Sequence, residues 1–106
     1  MHPFLEKLKE NKKRTGNTLC VGLDPDPEKM PDFFPKTAHG IKEFLIEIIE
    51  ATQEHCIAYK PNISFFEAFG LEGLKVLESL CHRIDSRIPI IIDGKRGDIG
   101  NTAKMQ

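Results

Sequence analysis

The chain has 106 residues, 40% hydrophobic and 29% charged, which is ordinary for one small globular domain with a modest core. Fifteen Lys and Arg against sixteen Asp and Glu leave a formal net charge of -1, so there is no electrostatic reason for nucleic acid or an anionic membrane as partner. Its three cysteines form no CxxC pair and read as free thiols of a reducing, cytoplasmic compartment, and its four histidines lack zinc-ligand spacing, so no metal site is expected.

The first sixteen residues are basic and weakly amphipathic, with Phe4, Leu5 and Leu8 on one face, and are predicted to form a surface helix. The stretch lacks the apolar region of a signal peptide, and Glu6 and Glu10 argue against a transit peptide. No apolar run approaches the roughly 18 residues of a membrane span.

"TLCVGLDPDP" follows. It predicts a strand from about Thr18 to Leu23, which Pro25 and Pro27 prevent from continuing, with Asp26 as a turn former. Residues 40–55 place Ile41, Phe44, Leu45, Ile48 and Ile49 at helical spacing. "CIAYKPN" reads as a second strand, stopped at Pro61.

Ser64 and Glu67 have the spacing of a capping box ahead of Phe65, Phe66 and Phe69. Leu74, Leu77, Cys81 and Ile84 continue the apolar face of this second helix, with an interruption expected around Gly70 and Gly73. Asn62-Ile63-Ser64 matches a glycosylation pattern, which without a secretion signal reads as chance. "IPIII" is the third predicted strand, and Asn101 or Thr102 is placed to cap a further helix.

Strands alternating with helices of this length predict right-handed βαβ units and a parallel sheet, an α/β fold. A three-stranded parallel sheet has two open edges, and the last helix has barely begun at Gln106. Residues 1–106 are therefore expected to be a single partial domain, the front of a larger α/β protein.

In such folds ligands gather at the carboxyl ends of the strands. All three predicted strands carry charge there: Asp24, then Lys60, then Asp93 and Lys95. Two-residue alternation puts Asp93 and Lys95 on the side of Ile91, Asp24 on that of Gly22, and Lys60 on that of Ala58. Each charge taken singly suits a solvated loop; their coincidence at three strand ends points to a polar site.

Alternating acids and bases form a preorganised array. A carboxylate held against a substrate anion disfavours the ground state, while a neighbouring ammonium favours a developing carbanion and then protonates it. That chemistry suits a cofactor-free decarboxylase or proton-transfer enzyme.

Other readings of "DGKRGDIGNT" are weaker. Gly94, Gly97 and Gly100 are spaced GxxGxxG, which is neither a dinucleotide fingerprint nor a P-loop. Arg96-Gly97-Asp98 spells an RGD tripeptide, but no export signal accompanies it. A Schiff-base lysine needs a lowered pKa, which flanking aspartates oppose.

Together, "VGLDPDP", "YKPNISFFEAFG" and "IIIDGKRGDIGNTAKM" closely resemble the orotidine 5'-phosphate decarboxylase family, in order from about Leu5 onward. The resemblance implies a (β/α)8 TIM barrel, of which this chain covers about the first three β/α units, and a homodimer. It also implies conversion of orotidine 5'-phosphate to UMP and CO2, a step of pyrimidine biosynthesis, without metal or cofactor.

By the same resemblance Asp24 holds the ribose, and Lys60 contacts the ribose and the charged network. Asp93 faces the departing carboxylate, and Lys95 protonates C6. Asp98 and Thr102 serve the neighbouring subunit's site, and Ile99 lines the pocket, with Asn101 structural. The family's phosphate-gripping loops are expected beyond Gln106, so the 106-residue chain is expected to be inactive alone. A related phosphosugar decarboxylase with the same DxKxxD pattern is one alternative; a non-catalytic fragment is the other.

Overall fold

A computed structural model of the chain describes residues 3–94. Helix α1 (Pro3–Thr15) leads into strand β1 (Cys20–Leu23), and a short 3-10 turn (Pro27–Lys29) precedes α2 (Ala38–Thr52). Strand β2 (Ala58–Pro61) is followed by α3 (Ile63–Glu67) and α4 (Gly70–Arg83). The expected alternation of strand and helix is present.

β1 and β2 are parallel, with Gly22 opposite Lys60 and Leu23 opposite Pro61. The predicted third strand pairs with β2 in parallel but only through isolated bridges, Tyr59 to Ile90 and Asn62 to Asp93. Pro61 explains the interruption. The amide of Tyr59 donates to Pro89 O at 3.1 Å, and that of Asp93 donates to Pro61 O at 2.9 Å. Between these the Ile91 amide donates to Tyr59 O at 2.8 Å, but the next ladder bond would run from residue 61 to Ile91 O, and proline has no N–H to give. Pro61 is thus the last residue of β2 and also the break in its outer ladder.

α2, α3 and α4 cover one face of this sheet. Leu23, Tyr59 and Ile92 lie on that side and are buried, with Ile41, Leu45 and Ile49 of α2, Phe66 of α3, and Leu77 and Leu80 of α4. Phe34 joins them from the loop after β1, its ring edge-on to Phe44 with centroids 5.4 Å apart. Tyr59 is fully buried, and its hydroxyl lies 2.7 Å from Thr52 Oγ1 and donates to Ile49 O at 3.2 Å.

One local expectation needs correction, and two gain detail. The first helix is a surface element as expected, but one of its residues is buried. Leu5 is exposed, whereas Asn11 is buried and donates through Nδ2 to Ile57 O at 3.4 Å and Arg87 O at 2.8 Å. Those carbonyls lie just before β2 and the third segment, so α1 closes the amino ends of the strands.

The cap of α3 is not Ser64. Asn62 takes that position, and its side chain accepts from Ser64 N–H at 3.1 Å, because an asparagine ahead of the first turn reaches the free amide directly.

The expected helix interruption falls between α3, which ends at Glu67, and α4, which opens at Gly70 with a φ of +67°. Gly73 lies inside α4 and serves a different purpose: a Cβ there would overlap the carbonyl oxygen of Phe66. Its absence lets α4 pack against α3.

Asp26 does form the predicted turn, accepting from Glu28 N–H at 3.1 Å. The cysteines are free and lie at three depths: Cys20 exposed, Cys81 intermediate and Cys56 buried. No helix among the described residues is long and apolar enough to cross a membrane.

Candidate functional site

The register decides which side chains share a face. Cys20, Gly22 and Asp24 lie beside Ala58, Lys60 and Asn62, and these beside Ile91 and Asp93. This is the face the helices leave open, and Gly22, Asp24 and Lys60 are exposed on it. The expected sides hold for Asp24 with Gly22, Lys60 with Ala58 and Asp93 with Ile91.

Asp24 and Asp93 stand at the carboxyl rim with Asn62 between them, and Lys60 rises from one step lower. The Asp24 carboxylate folds back over β1, where a Cβ on Gly22 would lie 3.5 Å from Oδ2. A glycine opposite Lys60 therefore keeps the space between the acid and the base clear. Among the described residues neither Asp24 nor Asp93 is within ion-pair distance of Lys60. Such an arrangement can hold hydroxyl groups and an anionic centre of a ligand lying across the rim.

Lys95, Asp98, Ile99 and Thr102 lie outside the described residues. Of the named site residues, Asp24, Lys60 and Asp93 are brought onto one face and one end.

Asn62 shares this rim without being among the expected site residues. Its position two after Lys60, on the same side of β2, was the available signal. Its Oδ1 is committed to the Ser64 amide, while the side chain sits in the middle of the rim.

A cavity of about 520 Å³ lies away from this face, between α1, the end of α4 and the start of the third segment. Phe4, Cys81, Ile84, Ile88, Pro89 and Ile90 line much of it, and it contains none of the candidate residues. The rim, where Asp24, Lys60 and Asp93 share one face, remains the candidate site.

The profile of the Orotidine 5'-phosphate decarboxylase / HUMPS family matches residues 17–106. An orotidine 5'-phosphate decarboxylase of Roseiflexus castenholzii is 50% identical over 101 residues, which are 95% of this chain and 37% of the relative. The namesake enzyme of Herpetosiphon aurantiacus is 45% identical over 101 residues, covering 95% and 38%. The structure of Leishmania donovani OMP decarboxylase superposes with a TM-score of 0.73 at 42% identity, covering 94% of this chain and 36% of that one. The chain thus spans under two fifths of the length of these relatives. With the match running from β1 through the whole candidate site, the chain belongs to the orotidine 5'-phosphate decarboxylase / HUMPS family.

Proposed function

We infer that the protein carrying this chain decarboxylates orotidine 5'-phosphate to UMP and CO2, in the cytoplasm and as a homodimer. The observation that carries the reading is the convergence of Asp24, Lys60 and Asp93 on the open face at the carboxyl rim of a parallel sheet. The names of the relatives support the choice of substrate. One-sided helical cover and parallel pairing suit three successive units of a (β/α)8 barrel, with the open face turned inward.

In this reading Asp24 and Lys60 hold the ribose, and Asp93 stands against the substrate carboxylate. Repulsion there disfavours the bound ground state and is relieved as CO2 leaves. The C6–carboxyl bond breaks with its electron pair remaining on C6. The ammonium of Lys95 stabilises that charge and gives C6 its proton, and the amine is reprotonated from water. Asp98 and Thr102 reach the neighbouring subunit's site across the dimer interface, and Ile99 lines the pocket. The chemistry asks for no metal or cofactor.

The test is an assay of the complete gene product with orotidine 5'-phosphate. UMP formation is expected, and Lys95→Ala should lower it by more than about a thousandfold with the fold intact, since general acid and electrostatic roles are combined in one group. Turnover of that variant near the parent rate removes the role given to Lys95. No UMP from the parent protein removes the reading itself.

A further inference from the structure

Two of the three described site residues are followed at once by a proline, and both rings are less than 2% exposed: Pro25 after Asp24, and Pro61 after Lys60. Steric conflict with a proline ring keeps the preceding residue out of the α region and near extended geometry. The pyrrolidine therefore acts on the backbone that presents each charge.

Pro25 has a second effect. It is the central residue of a three-residue turn in which the Asp26 amide donates to Asp24 O at 2.8 Å. Its restricted φ suits an inverse γ-turn and pins the carbonyl of Asp24 itself.

Pro61 occupies a position where a proline is unfavourable. It lies between β1 and the third segment, and its missing N–H removes a ladder bond. A valine there would fill the same core and keep the bond. The ring's distinctive contribution is backbone stiffness at Lys60.

The geometry points to Pro25 and Pro61 as positioning residues for the decarboxylation proposed above, on which this role rests. Each freezes the backbone of the charged residue before it, so Asp24 and Lys60 are aimed across the rim before substrate arrives. Neither ring touches substrate. Misplacement of a reactive group by about 1 Å can cost on the order of a hundredfold in rate, so local stiffness here carries kinetic weight.

The experiment uses the complete gene product and the variants Pro25→Ala, Pro61→Ala and Pro61→Val, with exposed Pro31→Ala as control. Steady-state constants for orotidine 5'-phosphate are measured well below every variant's melting temperature. Pro25→Ala should raise KM about fivefold with kcat within about twofold, the pattern of lost uniform binding. Pro61→Ala and Pro61→Val should both lower kcat/KM about tenfold, while Pro31→Ala stays within about twofold.

In parallel, amide-to-Hα couplings of Asp24 and Lys60 are compared by NMR. The parent should give fixed extended values and the variants averaged ones. Kinetic constants unchanged in all three variants, with only melting temperatures lowered, would overturn the proposal by making the rings core filler. If the parent does not form UMP, the decarboxylase reading fails separately, and couplings unchanged by substitution then overturn the positioning role.

Discussion

Asn11 and Arg87 are joined by a 2.8 Å hydrogen bond from the side-chain amide of one to the carbonyl of the other, across 76 positions of sequence. The same amide reaches Ile57 O, so one buried side chain closes the amino ends of two sheet segments. Asn11→Ala leaves both carbonyls without their donor and should lower stability by about 1–3 kcal/mol in a urea titration. The candidate site is at the opposite end, so binding of substrate should be unaffected at temperatures where the variant is folded. A shift below about 0.5 kcal/mol would show that water replaces the amide without loss.

Gly73 and Gly70 separate two reasons for a glycine. An alanine in a helix interior normally gains roughly 1 kcal/mol over glycine. At Gly73 the added methyl would overlap the Phe66 carbonyl, so Gly73→Ala should instead destabilise by about 2 kcal/mol or more. At Gly70 the space is open but φ is +67°, and the expected loss is about 1 kcal/mol. Thermal unfolding of the two variants should rank Gly73→Ala below Gly70→Ala.

The Asp85 carboxylate accepts from the Arg87 guanidinium at 2.8 Å, and these hydrogen bonds hold its pKa down to about 2, from an ordinary 3.8. Between those values the unfolded chain binds the proton and the folded chain does not, so acidification favours unfolding. The pair's contribution is complete above the ordinary value and is lost as pH falls toward about 2. Melting curves of the parent and Arg87→Ala should therefore differ by a constant amount above pH 5 and converge as pH falls through that window.

Tyr59 titrates in the other direction. Burial raises its phenol well above the usual value of about 10. Folding then favours the neutral phenol, and stability should decline once pH exceeds the unfolded value. Tyr59→Phe removes that alkaline decline. At neutral pH it should cost about 1 kcal/mol through the lost contacts with Thr52 and Ile49. An identical alkaline limb in parent and variant would exclude Tyr59 as its source.

Local chemistry made much of this legible in the sequence. Apolar spacing located α2 and the long part of the second helix, because Ile41, Leu45 and Ile49 repeat with the turn of a helix. Two-residue alternation put Asp24, Lys60 and Asp93 on one face because strands have no other periodicity. What escaped depended on distant partners. Nothing near Asn11 indicates that carbonyls at Ile57 and Arg87 await it. Gly73 looks like a helix breaker until Phe66 is found against it. Pro61 reads as the end of its strand, which it is, but its lost donor also acts on the neighbouring segment. The shared face of Asp24, Lys60 and Asp93 is legible in the sequence, and residues 95–106 lie outside the described residues.

The depths of the three thiols make the molecule self-reporting. Cys20 is exposed on the same sheet face as Gly22 and Asp24, while burial shields Cys56 and pushes its thiol up. An alkylating reagent should modify Cys20 quickly wherever that face is bare, and slowly wherever something covers it. Cys56 should react only on unfolding. Mass spectrometry of one reaction mixture thus reads two states separately: whether the charged face is open, and whether the core behind it is intact.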